Sequence, residues 1–405
     1  MEKFRRAVSL GLIAAVSLFL LAALVLTLRA RSRDYSFYEN RMLAPRPVLT
    51  AAGMLDGSYF SALEDWLIDH AAGHNALSRL DVRADLLLRR PRVNDVVARG
   101  DLLLPWNDYE SVSEDAVSAA AARMADNLAS VDALVSSYGG RFCYAAVPCQ
   151  YAYYEDRYPA YLNSRAVYTR LSRASLAAAL SARGVAFLDM GPLFDSLGHP
   201  PEFSSSVDNH YGILGAYETY RALLDVLDPG GAAIPRLAAE DFTAETLPQP
   251  YLGSRMRKLL GAWPAEERLT ILTPNEPVPF TRTDDGRPSP SVVYALPGAD
   301  SAWVTYDLYM GGDSGNTVID TQRPDLPTLL IYGDSFTNAV ECLAYLSFDQ
   351  MHSLDLRNYS GELTLGAYIE AYRPDYVVCL RDYEALLLTA ANGVGVGGTK
   401  EGVSP

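Results

Sequence analysis

An uncharged run, residues 7–28, dominates the hydrophobic pattern of the chain. As a helix rising ~1.5 Å per residue, it is long enough to cross a hydrocarbon layer ~30 Å thick. Lys3, Arg5 and Arg6 precede the run, and Arg29, Arg31 and Arg33 follow it. These flanking charges nearly balance. Orientation therefore rests on the very short amino-terminal tail and its basic start, which assign residues 1–6 to the cytoplasm. No clean Ala-x-Ala site follows, which favours an uncleaved signal anchor over a removed signal peptide. The expectation is a single-pass membrane protein with everything after residue 34 outside the cytoplasm.

A polar exit segment, residues 34–47, leads into two helical patterns. Residues 57–70 place Tyr59, Phe60, Leu63, Trp66 and Leu67 at helical spacing. Residues 76–88 place Leu77, Leu80, Ala84 and Leu87 on one face. The proline of RRPR, residues 89–92, ends this part. Residues 29–93 thus read as a membrane-proximal helical segment. From about residue 94 the rhythm changes. Helices are expected at 116–138, 166–183 and 212–227, and apolar strands at 141–148, 185–190, 328–332 and 375–380. Strands alternating with helices predict a mainly parallel, doubly wound α/β sheet over residues 94–390. One segment, about 238–323, breaks the rhythm with prolines and short β-like pieces, RLTILTP, SVVYALP and AWVTYDLYM. It reads as a β-rich insertion. Residues 391–405 read as a disordered tail.

Composition adds limits. An apolar content of 49% with 20% charged residues suits a packed core, and the formal net charge of −15 argues against nucleic acid as a partner. The four cysteines form no CxxC pair. A Cys143–Cys149 disulfide is an open alternative to buried thiols. There is no GxxxxGK[ST] and no strand-linked GxGxxG, so no nucleotide is expected. No metal or other cofactor is expected either.

Two fragments carry candidate chemistry. In VDNHYGILGAY, Asp208 stands two residues before His210, just ahead of a predicted helix, with Gly212 allowing a tight chain path. A carboxylate that close can fix one imidazole tautomer and stabilise its charged form. Capping of the helix by Asp208 is the plainer alternative. In TLLIYGDSFTNA, an apolar strand runs through Gly333 into Asp334 and Ser335 and then a helix. Such a turn exposes a serine hydroxyl at the carboxyl end of a parallel sheet, beside backbone N–H groups that can hold an oxyanion. Helix capping by Asp334 and Ser335 is the alternative there. The tyrosine-rich run CQYAYYEDRYPAY, with Tyr154 singled out, suits either a glycan groove or ordinary packing.

Taken together, the fragments resemble a known group. GDSF after an apolar strand resembles the nucleophile block of SGNH (GDSL-type) hydrolases. VDNHYGILGAY resembles the Asp-His-His-Trp block that names the DHHW family, itself similar to SGNH-like alginate O-acetyltransferases of bacterial envelopes. FYENRMLAPRP, YDLYMGGDSGN and HSLDLRNY resemble further family segments, so the likeness spans roughly residues 35–385. Tyr211 stands where the family has tryptophan. The resemblance implies a three-layer, flavodoxin-like parallel sheet of SGNH-hydrolase type. It implies a triad of Ser335, His210 and Asp208, with order free so long as geometry converges. Gly312 and Asn316 become candidate oxyanion donors. Arg357 is a candidate for substrate binding, although pairing with Asp355 is the favoured reading. The implied activity is esterase or O-acetyltransferase action on a cell-envelope or secreted polysaccharide, with a membrane-bound partner as a source of acyl groups. A non-catalytic glycan-binding or assembly component is the alternative.

Overall fold

The uncharged run forms one helix, α1 (Glu2–Arg29), and it is the one helix among the described residues long and apolar enough to cross a membrane. The structure, a computed structural model, describes residues 1–29, 33–39, 41–109, 111–264 and 266–389. The expected tail at 391–405 lies outside them. The chain divides into two compact units. One holds Met1–Val96 and Met256–Pro264; the other holds Val97–Arg255 and the chain from residue 265 onward.

In the first unit, α2 (Ser58–His70) and α3 (His74–Leu87) are joined through Gly73, whose φ of 79° suits glycine. Trp66, Asp69 and His70 face inward. Asp69 accepts hydrogen bonds from the Arg41 guanidinium at 2.9 Å and the Ala44 amide at 2.7 Å. The bond to Arg41 holds its carboxyl down to about 2. Near the end of α1, Thr27 is buried, and its Oγ1 accepts the Ala72 amide at 2.9 Å. Helix α3 turns its apolar stripe outward: Leu77, Leu80 and Leu87 are exposed, and Val82 is buried instead.

The second unit is built on an eight-stranded sheet. Its strands are β1 (Arg141–Val147), β2 (Phe187–Asp189), β3 (Thr281–Asp284), β4 (Arg287–Ser289), β5 (Asn316–Asp320), β6 (Leu329–Gly333), β7 (Gln350–Asp355) and β8 (Tyr376–Asp382). Their order is β4-β3-β5-β7-β6-β8-β1-β2. From β7 to β2 neighbouring strands are parallel, whereas β5, β3 and β4 join antiparallel at the far edge. Strands β6 and β8 are buried at every residue, as a sheet covered on both faces requires. The cover comes from α4 (Glu114–Ser136), α5 (Ala166–Ser181), α6 (Ile213–Leu227), α7 (Thr337–Ala344) and α8 (Leu365–Tyr372). Helix α4 packs with α5 and α8, and α6 packs with α7, giving three layers.

The expected β-rich insertion takes a different form. RLTILTP supplies Thr270–Pro274, which pairs antiparallel with Phe242–Thr246 as a separate two-stranded sheet. The next strands, β3 and β4, extend the main sheet. SVVYALP and AWVTYDLYM are not strands: one isolated bridge, Tyr294 to Tyr309, joins them, and Tyr306–Leu308 is a short 3-10 turn. Val293, Val304, Tyr306, Leu308, Tyr309 and Met310 are buried while Val292 and Leu296 are exposed. Burial alternates over 303–308 as in a strand, but the chain there makes isolated bridges and a 3-10 turn in place of a ladder. Buried Arg282 pins the segment from beneath, donating to the carbonyls of Val292 at 2.8 Å and Met310 at 2.6 Å. All four cysteines are free and buried, so the Cys143–Cys149 disulfide is not made.

Candidate active site

Strand β6 delivers its chain end into the site through Gly333. A Cβ there would lie 2.2 Å from the Leu380 carbonyl oxygen. The glycine is needed for close approach of β8. Asp334 then closes the turn, its Oδ1 accepting the Phe336 amide at 3.0 Å and its carbonyl accepting the Thr337 amide at 2.9 Å. Asp334 thus closes the turn ahead of α7, whose N-cap, Phe336, makes no side-chain capping bond. Ser335 is left half-buried between buried neighbours, and its N–H is taken up by no hydrogen bond among the described residues.

The second fragment forms a tight loop ahead of α6. Ser205 donates its amide to the His210 carbonyl at 3.2 Å, and Gly212 donates to the Phe203 carbonyl at 2.9 Å. Asp208 caps no helix. Its Oδ1 accepts the His210 amide at 3.0 Å and His210 Nδ1 at 2.6 Å. Its Oδ2 accepts the Ser254 amide. Gly253 makes that approach possible, since a Cβ there would sit 2.5 Å from the Val207 carbonyl oxygen. Burial pushes the Asp208 carboxyl up. The charge of His210 and the hydrogen bonds from His210 and Ser254 outweigh it and hold the group well below the usual carboxylate range.

His210 completes the line. Its Nε2 lies 2.7 Å from Ser335 Oγ. An ionised carboxylate only accepts, so Nδ1 carries the proton and Nε2 is the acceptor for the serine hydroxyl. The ring is stacked on Tyr306, with centroids 3.8 Å apart and planes 6° apart, and is flanked by Phe336 at 4.9 Å. Tyr306 was not singled out in the sequence, because AWVTYDLYM reads as a strand. A Tyr306→Ala variant should lower kcat by about tenfold to a hundredfold with little change in KM, since loss of the stack frees the imidazole to shift. Steady-state kinetics on a p-nitrophenyl ester would check it.

The remaining candidates scatter. Tyr154 is packed inside, its one hydroxyl hydrogen shared between the Ser204 carbonyl at 2.9 Å and the Pro201 carbonyl at 3.1 Å. Tyr211 is likewise buried, stacked on Phe336 and bonded to its carbonyl at 2.8 Å, so it packs and cannot stack on sugar. Asn316 sits on β5 with its Oδ1 accepting the Tyr368 hydroxyl at 3.3 Å. Gly312 adopts φ of 94° beside Asp307. Neither residue has a bond to Ser335 among the described residues. Arg357 pairs with Asp355 at 2.6 Å and also reaches Asp313 at 3.0 Å. Asp313 is the member of GGDSGN tied to the site: it accepts Asn338 Nδ2 at 2.9 Å and feels the His210 charge.

Beneath Ser335 lies a buried charge cluster. Arg381 Nε is 3.4 Å from Asp334 Oδ2. Next along β8, Asp382 is pushed up to about 7 by burial and then by the charges of Asp334 and Glu384, against the pull of Arg381. A carboxyl raised in the folded state favours folding while protonated and loses that advantage as pH rises from about 4 to about 7. Asp382→Asn keeps the acceptor for the Ala385 amide, 2.8 Å away. The variant should melt at a temperature that falls less between pH 5 and about pH 7.5 than the parent's does.

Residues 103–291 match the model of the SGNH hydrolase-like domain, acetyltransferase AlgX. The chain carries an SGNH-like domain. That match covers Asp208 and His210 and ends before Ser335. Among solved structures, Bacillus cereus PatB1 with a sulfonyl adduct superposes with a TM-score of 0.59 at 17% identity, covering 72% of this chain and 94% of that one. A DHHW family protein from Eubacterium siraeum gives a TM-score of 0.55 at 16% identity, over 73% of this chain and 93% of that one. No curated protein matches. The SGNH-like fold foreseen from GDSF and VDNHYG is thus the fold of the second unit. Among the described residues no group of His, Cys, Asp and Glu has the arrangement of a metal site.

Proposed function

We propose that this SGNH-like chain is an extracytoplasmic, membrane-anchored serine O-acyltransferase acting on polysaccharide hydroxyls, and an esterase when water takes the acceptor's place. The observation that carries it is the line Asp208 Oδ1, His210 Nδ1, His210 Nε2, Ser335 Oγ, with links of 2.6 and 2.7 Å. Two such links, one between residues two apart and the other between residues 125 apart in sequence, are what a nucleophile, its base and the base's orienting group require. The acetyltransferase domain matched at 103–291 supports acetyl as the transferred group. Helix α1, with mean hydropathy 2.7 over its apolar part, supports the anchor.

The steps follow from the geometry. Ser335 Oγ attacks the carbonyl carbon of an acyl ester while its proton passes to His210 Nε2. Asp208 stabilises the imidazolium through Nδ1–H. The Ser335 amide N–H holds the oxyanion of the tetrahedral intermediate. Collapse expels the donor alcohol, which takes the proton back from Nε2. The acceptor hydroxyl then loses its proton to the same nitrogen and attacks the acyl-serine, freeing Ser335.

The test is covalent labelling. The full chain in detergent, treated with phenylmethanesulfonyl fluoride, should gain one sulfonyl group on the peptide containing Ser335. Ser335→Ala should gain none, and an oligosaccharide incubated with p-nitrophenyl acetate and the parent should gain acetyl esters. Labelling elsewhere, or none in a folded parent, would overturn the serine mechanism. Labelling of Ser335 with no turnover would favour a glycan-binding role.

A further inference from the structure

Helix α3 exposes the residues that an amphipathic helix normally buries. Leu77, Leu80 and Leu87 recur at helical spacing, yet they are 58%, 65% and 84% exposed. Leu88, just past the helix, is 70% exposed. Water contact for such a stripe is unfavourable by roughly 25 cal/mol per Å². A stripe of this kind marks a covered face, and the cover has to be identified.

Three observations identify it. The first is position. The α2–α3 corner is joined to the last turn of α1, where Ala72 donates to buried Thr27, and His70 Nε2 lies 2.9 Å from the Arg33 carbonyl. In the anchor reading proposed above, on which this inference rests, that corner lies at the headgroup level of the bilayer. The second is charge. Residues 74–92 carry Arg79, Arg83, Arg89, Arg90 and Arg92 against only Asp81 and Asp85, in a chain of net charge −15. The third is shape. Leu77, Leu80 and Leu260 line an apolar groove of about 570 Å³, with Arg79 and Arg83 at its wall. Arg79 donates one Nη2 bond to the Gly261 carbonyl, and its Nε is buried without a hydrogen-bond partner among the described residues. An apolar slot beside such a donor suits an acyl chain and its phosphate oxygen.

We propose that α3 lies on the lipid surface and that its groove binds an anionic phospholipid. Leu77, Leu80, Leu87 and Leu88 enter the boundary between headgroups and acyl chains. Arg79 and Arg83 meet the phosphate. Amphipathic helices with this layout lie in the interface plane, and their arginines are attracted to an anionic surface. The first unit is thereby held against the bilayer by more than its span.

The experiment uses the full chain in vesicles. Its four native cysteines are buried, so single cysteines introduced by Leu18→Cys, Leu80→Cys and Leu87→Cys can be labelled with an environment-sensitive dye. Vesicles are phosphatidylcholine with or without phosphatidylglycerol, and quenching is read with doxyl-lipid and with aqueous iodide. The labels at 80 and 87 should be quenched by doxyl-lipid and shielded from iodide several-fold, more so with phosphatidylglycerol. Arg79→Glu together with Arg83→Glu should remove the phosphatidylglycerol effect. Iodide quenching at 80 and 87 beside doxyl quenching at 18 would overturn the surface inference and leave the anchor standing. Iodide quenching at all three would overturn both. Self-quenching that grows with protein-to-lipid ratio would assign the face to a second copy of the chain and overturn the lipid assignment.

Discussion

Ser335→Ala should abolish acyl-ester turnover, lowering kcat on the order of 10⁶-fold while leaving the fold in place. The size follows from the role. Without Oγ there is no acyl-serine, and what survives is the contribution of oxyanion binding and substrate positioning alone. Folding is spared because Ser335 sits half-buried and, among the described residues, its hydroxyl bonds His210 alone, at 2.7 Å. Removal of such a hydroxyl changes stability by about 0.5 kcal/mol or less. His210→Ala should cost nearly as much as Ser335→Ala, and the double variant no more than either. Groups that act as one unit are not additive. Two modest, multiplicative losses would instead describe separate residues and would remove the triad. Hydrolysis of p-nitrophenyl acetate, with near-ultraviolet circular dichroism as the folding control, reads both outcomes.

Much of this arrangement was legible in the chain because its physics is local. Short apolar runs at 141–148, 328–332 and 375–380, alternating with longer helical patterns, read as strands covered on both faces, and they became β1, β6 and β8. The Asp-x-His spacing and the Gly-Asp-Ser turn likewise depend on a few consecutive residues. Their meeting does not. His210 reaches Ser335 because α6 and α7 pack together, a fact no window of sequence contains. Contacts from distant segments were illegible for the same reason. The Ser254 amide reaches Asp208 across 46 positions, and Tyr306 reaches the imidazole from a segment whose alternating look suggested a strand. Tyr154 failed in the opposite direction. Its neighbours suggested an open aromatic surface, but Pro201 and Ser204 carbonyls claim its hydroxyl and the packing closes over it. The exposed stripe on α3 was visible as a periodic pattern, yet periodicity alone cannot say which side of a helix meets protein and which meets something else.

Asp208→Asn should lower kcat by about 10⁴-fold and destabilise the fold as well. The activity loss is a matter of tautomer. Three N–H groups converge on the carboxylate: the His210 amide and Nδ1 on Oδ1, and the Ser254 amide on Oδ2. A carboxylate can accept all three, and an asparagine has only one oxygen to offer. If its NH₂ turns toward the imidazole, Nδ1 must become the acceptor and the proton moves to Nε2. That nitrogen can then no longer take the proton of Ser335. If the NH₂ turns toward Ser254 instead, two donors face each other in a buried place, a loss of about 1–3 kcal/mol. The pH dependence separates the variant from the parent. A carboxyl held below its ordinary range stabilises the fold above its unfolded pKa of about 3.9 and loses that contribution as pH falls. Thermal melts between pH 3 and about pH 7 should therefore show a smaller acid-side decline in Asp208→Asn than in the parent. A variant with parental kcat would show that Asp208 neither sets the tautomer nor stabilises the imidazolium, and the proposed relay would reduce to a serine beside a histidine.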